Sequence, residues 1–196
     1  MDSVQQVRQF IHSNPRIAGD VIRRMFADDK ATMYDILYDF KLWARPEQIF
    51  SLDEEYEAFL MLCGRGWGKS RWLSQHIIDN ALSNPGKRLG LMAPDYKVLK
   101  KVSFLGDSGI IENIHPEILT DPNFDFNKSE LSIQFPNGSS ITSYSAEAFD
   151  KTRGDQFHDF YAEETAAWLY DEDALEACRL TNRLDYRGHH PKLYIA

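Results

Sequence analysis

The sequence predicts an α/β fold, a mainly parallel sheet flanked by helices on both faces, behind a small helical segment at the N-terminus. Three observations carry this. From about residue 59 onward, short apolar runs of strand length alternate with longer stretches of helical periodicity. A glycine-broken loop, "CGRGWGKS", joins one such run directly to a helical stretch. The first 43 residues, in contrast, repeat their apolar side chains only at helical spacing.

Taken in order, Val4, Val7, Phe10 and Ile11, then Met33, Ile36, Leu37 and Phe40, mark short amphipathic helices. Arg45-Pro46-Glu47-Gln48 breaks that pattern and sets a boundary, giving a helical segment over 1–44 and a second domain over 45–196. An acidic stretch from Asp53 to Glu57 leads into an apolar strand, Phe59 to Cys63. After the glycine loop, Trp72, Leu73, His76, Ile77 and Ile78 suit a helix that ends near Asn84-Pro85-Gly86, and Arg88 to Met92 forms the next strand, stopped by Pro94. Residues 131–135 and 140–145 alternate around Pro136-Asn137-Gly138-Ser139, the signal of a hairpin. Residues 158–162 form another buried strand, followed by a helix over about 165–182 and a last strand at 192–196.

Composition bounds the rest. With 196 residues, 43% hydrophobic and 27% charged, the chain can bury the core of one large domain and a small appendage. A formal charge of −8 and a pI near 5.2 exclude a polybasic or histone-like protein, yet leave room for a locally basic channel. Cys63 and Cys178 lie far apart without metal-ligand spacing, so neither a disulfide framework nor a zinc site is expected, and a reducing compartment is. No apolar run reaches the roughly 18 residues of a membrane span, and the polar N-terminus lacks a signal-peptide core, so a cytosolic protein is expected.

The loop carries the first chemistry. A backbone that turns successive N–H groups inward onto phosphate oxygens needs glycines, because a β-carbon obstructs the approach. Gly64, Gly66 and Gly68 supply them; Lys69 would reach the β- and γ-phosphates, the Ser70 hydroxyl would ligate magnesium, and the helix starting there would aim its positive end at the same anion. The pattern G-x-x-x-x-G-K-[ST] is met except that Cys63 stands in place of its first glycine. Trp67, within the loop, either packs or stacks on a base, and packing is favoured.

Hydrolysis also needs a carboxylate to hold magnesium and, in one large division of phosphate-loop NTPases (the ASCE type), a second to activate water. "FHDFYAEETAAW", residues 157–168, offers Glu163 and Glu164 at the C-terminal end of a buried strand, where α/β sheets bind ligands. The first is usually aspartate in such motifs. The alternative is a pair of helix-start glutamates favoured by the dipole.

These residues resemble the N-terminal ATPase domain of large terminase subunits, the DNA-packaging motors of tailed bacteriophages, over roughly residues 41–196. "GRGWGKSR" resembles that family's deviant Walker A, and "FPNGSSITSYSAEAFDKTRGDQFHDFYAEETAAW" its hairpin, arginine-bearing loop and Walker B segment in the same order. "ARPEQ" resembles the adenine-recognition element, with Gln48 at the purine edge.

The resemblance implies an ATP- and Mg²⁺-dependent ATPase that moves double-stranded DNA into a procapsid. Gln48, Gly64, Arg65, Gly66, Trp67, Gly68, Lys69, Ser70 and Arg71 would form the nucleotide site. Ser70 and Glu163 would serve magnesium, Glu164 would polarise the attacking water, and Arg65 would add charge from within the loop. Arg153, just before the Walker B strand, would reach a neighbouring subunit's nucleotide; a surface-loop salt bridge is the equal alternative. The implied partners are double-stranded DNA, further subunits in a ring (a pentamer in the full-length motor, a monomer for the isolated fragment), the portal and the small terminase subunit, in the host cytoplasm and without a membrane.

"HHPKLYIA" resembles the opening of a sensor strand that, in this class, lies between the phosphate-loop and Walker B strands; the motif normally following it and the nuclease domain are absent, so the chain reads as a partial, weakly active protein. The competing functions are a helicase-like DNA translocase and a non-hydrolysing nucleotide-binding fragment. His158, His189 and His190 read as loop and strand residues rather than metal ligands, and Lys97, Lys100 and Lys101 as a solvated helix face in preference to a contact with DNA phosphates.

Overall fold

A computed structural model describes residues 3–50 and 56–196; Asp53, Glu54 and Glu55 of the acidic stretch lie outside the described residues. The chain divides into two compact units, residues 1–54 and 55–196. The first holds α1 (Ser3–Ser13), α2 (Ala18–Met25), α3 (Lys30–Tyr38) and α4 (Phe40–Trp43). Its helical periodicity resolves into one small core, in which Ile11, Ala18, Ile22 and Leu42 are buried and Val7, Met33, Ile36 and Leu37 pack around them. Asp29 caps α3 by accepting from Thr32 N at 3.1 Å, and Asp39 caps α4 by accepting from Lys41 N at 2.8 Å.

In the second unit the elements run β1 (Ala58–Leu60), α5 (Lys69–Ser83), β2 (Arg88–Ala93), α6 (Tyr96–Val98), a π-helical segment (Leu99–Phe104), α7 (Ile110–Asn113), α8 (Pro116–Leu119), β3 (Asp125–Asn127), β4 (Ser132–Gln134), β5 (Ser140–Ser145), a 3-10 segment (Ala146–Thr152), β6 (Asp159–Ala162), α9 (Asp171–Thr181) and β7 (Lys192–Ile195). They form a seven-stranded sheet in the order β1-β7-β6-β2-β5-β4-β3. The first five strands of that order pair in parallel, and β5-β4-β3 in antiparallel. Parallel strands are buried on both faces and read as continuous apolar runs; β2 and β6 are such runs, with Leu91, Met92, Phe160 and Tyr161 wholly buried. β7 lies between β1 and β6, as the resemblance implies for the sensor strand. On one face, Phe160 and Ala162 of β6 pack with Trp168, Ala174 and Cys178.

Two expectations need correction, and one strand, β3, had no counterpart in the sequence reading. The strand expected over Phe59 to Cys63 closes at Leu60, and only one further ladder bond, Met61 N to Ile195 O at 2.8 Å, extends it. The helix expected over 165–182 is split: Thr165–Ala167 is a 3-10 turn and α9 starts at Asp171. Trp168 explains the break, because its buried indole turns back to donate Nε1–H to Glu163 O at 3.0 Å. Asp171, Glu172 and Asp173 then begin a new helix, where carboxylates offset the dipole.

Candidate active site

The loop between β1 and α5 turns where glycine permits it. Gly66 and Gly68 have φ of +83° and +86°, a region costly for residues with a β-carbon, and Gly68 is the N-cap of α5. Its carbonyl accepts from Trp72 N at 3.0 Å and starts the helix, while Trp67 N reaches back to Gly64 O at 3.3 Å. Gly64, Arg65 and Gly66 are exposed at the tip; Trp67, Gly68, Lys69, Ser70 and Arg71 are half-buried where the helix begins. Around Gly64 and Gly66 the space a β-carbon would enter is open to 4 Å. The first turn of a 15-residue helix thus stands beside an exposed, glycine-rich loop, the arrangement that attracts anions.

β6 brings the glutamates to the same end of the sheet. Glu163 continues the ladder through its N–H to Met92 O at 2.8 Å and is 3% exposed. Ser103 Oγ donates to Glu163 Oε2 at 2.6 Å, and the Ser70 hydroxyl of the loop helix stands near enough to the carboxylate to favour its charged form. Burial holds the Glu163 pKa above the ordinary value of 4.5; the two hydroxyls oppose the shift and the neighbouring charge of Glu164 adds to it.

Glu164 is exposed and left-handed, at φ +53° and ψ +44°, one of three non-glycine residues with positive φ among the described residues. Such a conformation costs on the order of 1 kcal/mol or more and is concentrated at functional sites. Adjacent in sequence, the two carboxylates therefore occupy opposite environments.

Arg153 is not gathered with these residues. It follows the 3-10 segment, and its guanidinium pairs with Asp150 at 2.7 Å, the two side chains 82% and 63% exposed. It borders a cleft of about 280 Å³ together with Asp150, Asp155, Asp173 and Glu176. Gln48 belongs to the first unit, where its Oε1 accepts from Arg45 N at 2.9 Å in the turn Pro46–Gln48.

Sequence reasoning missed Ser103. It carries no motif, and its only signal is a small polar residue between Val102 and Phe104 soon after the end of β2. Also missed is a polar cluster at the opposite end of the strands. There Asp159, 3% exposed, meets Lys87 Nζ at 2.6 Å, Asn80 Nδ2 at 2.7 Å and Lys192 N at 2.9 Å. His76, hydrogen-bonded to Tyr161 at 2.9 Å, has its pKa lowered to about 4 by burial, with help from Lys87 and Lys192.

His158 Nδ1 accepts from Arg88 N at 2.8 Å, and His190 contacts Asp185 at 3.1 Å. Among the described residues no group of three His, Cys, Asp or Glu side chains is placed to hold a metal, and no helix is long and apolar enough to cross a membrane.

Comparison with known proteins gives a family. Residues 60–186 match "Terminase large subunit, T4likevirus-type, N-terminal". No curated protein matches. Among solved structures, the large terminase of bacteriophage HK97 aligns with 82% of this chain at 12% identity and a TM-score of 0.54. A large terminase from a thermophilic bacteriophage, in complex with ADP, aligns with 83% at 11% identity and 0.52. The large terminase ATPase domain of Thermus phage P74-26 aligns with 70% at 17% identity and 0.47. The aligned part spans 32%, 37% and 57% of those three chains respectively.

Proposed function

Because this chain belongs to the T4-like family of terminase large subunits, as its N-terminal part, we propose that it binds ATP with magnesium at the loop Gly64–Ser70 and hydrolyses it to drive double-stranded DNA into a procapsid. The observation that carries this reading is the placement of the buried Glu163, at the end of β6, on the side of the loop helix that bears Ser70, whose hydroxyl favours its charge. It joins the two halves of a nucleotide site through oxygen donors that suit a hard cation. The bonds to Glu163 come from hydroxyls, and a cation would relieve the cost of its buried charge. The thermophilic phage's terminase in complex with ADP supports a nucleotide as the ligand.

In this mechanism the amides of Gly64 to Gly68 and the Lys69 ammonium bind the phosphates, with Arg65 and Arg71 adding charge beside them and Trp67 packing the loop. Ser70 and Glu163 would hold magnesium, which would supply positive charge against the phosphoryl group. Glu164, exposed at the mouth of the site, orients the attacking water and accepts its proton. Arg153 completes the site of a neighbouring subunit in a ring, which works with the portal and the small terminase subunit in the host cytoplasm.

Nucleotide titration and ATP turnover test the reading. Lys69→Ala should abolish binding; Glu164→Gln should retain binding and lose about 10²–10⁴-fold in turnover, since the amide keeps the shape but accepts no proton. Unchanged nucleotide affinity in a folded Lys69→Ala protein overturns the assignment.

A further inference from the structure

The segment leaving β2 has two faces of different chemistry. Asp95 caps it by accepting from Val98 N at 2.8 Å, and Leu99–Phe104 then winds as a π-helix, a rare form that recurs at functional sites. Its inner face buries Leu99, Ser103 and Phe104. Phe104 stacks on Phe126 with centroids 5.6 Å apart, and Ser103 touches the Glu163 carboxylate.

The outer face exposes Lys97, Lys100 and Lys101 beside Tyr96. Tyr96 donates its hydroxyl to Ser129 O at 3.2 Å, which brings the turn bearing exposed Lys128 alongside. The carboxylates carried by these stretches include Asp95, engaged in its cap; Glu130, which accepts from Asn127; and exposed Asp107.

The winding is held from behind by the loop that follows it. A β-carbon on Gly106 would stand 2.8 Å from Lys101 O, and one on Gly109 2.7 Å from Phe104 O, so this loop packs directly on the carbonyls of the π-turn. The lysines and the Ser103 hydroxyl thus lie on one short turn backed by the same loop.

We propose that Tyr96–Phe104 is a DNA-sensing element: Lys97, Lys100 and Lys101 bind the phosphate backbone of double-stranded DNA, and Ser103 passes the resulting displacement to Glu163. This rests on the reading of Glu163 as the magnesium carboxylate. The lysines supply sequence-independent affinity through counterion release. Ser103 acts as a positioning residue that couples the two ligands, and such coupling is reciprocal: DNA changes the affinity for magnesium-nucleotide by the factor by which magnesium-nucleotide changes the affinity for DNA.

The test uses the full chain, a short mixed-sequence DNA duplex and a non-hydrolysable ATP analogue with magnesium. Duplex binding is first measured against salt without nucleotide. Replacing Lys97, Lys100 and Lys101 together by alanine should weaken it equally for all sequences and lower the log–log salt slope by about 2–3. Analogue binding is then measured with and without duplex. The wild-type protein should show a coupling of at least about fivefold; Ser103→Ala should abolish it while leaving duplex affinity in place, and Ser103→Thr, which keeps the hydroxyl, should restore it.

An unchanged salt slope in the lysine variant, or full coupling in Ser103→Ala, overturns the proposal. Failure of the wild-type chain to bind the analogue instead refutes the nucleotide site itself, and the coupling with it.

Discussion

The loop geometry makes a prediction with an internal control. Gly64 and Gly66 both have open space where a β-carbon would stand, but only Gly66 has a positive φ, +83°. Crowding thus contributes nothing at either position, and the two alanine variants differ only in backbone strain. Holding an L-residue in the left-handed region costs about 1–2 kcal/mol. At about 2–4 °C per kcal/mol for a chain of this size, Gly66→Ala should lower the Tm of the nucleotide-free protein by roughly 2–8 °C, and Gly64→Ala should leave it within error. If the loop amides bind phosphate, relaxation of that strain misdirects one of them. A charge-assisted hydrogen bond of about 1.5–3 kcal/mol is then lost, roughly 10- to 150-fold in nucleotide affinity. Differential scanning calorimetry and nucleotide titration read the two effects separately. Equal destabilisation by both substitutions would show that the loop is not held in the left-handed turn described, and the reasoning from Gly66 would fail.

Three further outcomes follow from particular contacts. The raised pKa of Glu163 makes its protonation favour the fold: that contribution is fully present below the ordinary glutamate value of 4.5 and is lost as pH rises through the raised value. The magnesium-free wild-type protein should therefore lose thermal stability across that interval relative to Glu163→Gln, which has no proton to lose; superimposable pH profiles would refute the buried charge. Asp159→Ala leaves Lys87, its side chain only 12% exposed, without its carboxylate and should cost about 3–5 kcal/mol in urea unfolding, whereas the paired Asp159→Leu, Lys87→Met variant should recover most of it. For Arg153, mixing Arg153→Ala with Glu164→Gln subunits in a longer, assembly-competent protein should restore partial ATP turnover. No recovery in rings shown to be mixed would place this arginine's action within its own subunit or in its Asp150 pair.

The strands that were legible in the sequence are those buried on both faces. Arg88–Ala93 and Asp159–Ala162 read as continuous apolar runs because parallel pairing covers them with helices on either side. Asn137-Gly138 marked the β4–β5 connection through its turn chemistry, and Gly138 does adopt φ +83°. β3 was illegible because three residues, one of them Asp, carry no period, and it exists only through its pairing with β4. The split near Trp168 was hidden for a related reason: helical periodicity continues across it, and a tertiary hydrogen bond to Glu163 O overrides the local preference. Ser103 belongs with these, since its importance lies in a partner 60 residues away.

The different surroundings of Glu163 and Glu164 follow from strand parity. Successive side chains of a strand point to opposite faces, so Asp159, Tyr161 and Glu163 share one face of β6 while Phe160 and Ala162 occupy the other, packed with Ala174 and Cys178 of α9. On the first face each polar group meets a polar residue of α5: Asp159 meets Asn80, Tyr161 meets His76, and Glu163 meets Ser70. The spacings agree, because ten helical residues from Ser70 to Asn80 rise about 15 Å and four strand residues from Asp159 to Glu163 about 13 Å. Sliding β6 by one residue would turn Phe160 and Ala162 onto the polar stripe of α5 and expose its polar face to the apolar cluster. The register is thus fixed by two contacts remote from the loop, and it delivers Glu163, not its neighbour, to Ser70. Glu164 falls where the strand has ended, and its left-handed backbone breaks the alternation that would otherwise send it toward α9. One carboxylate is held by the sheet at the loop helix and the other is released to solvent beside it, which is the separation that the roles proposed for them, magnesium binding and water activation, require.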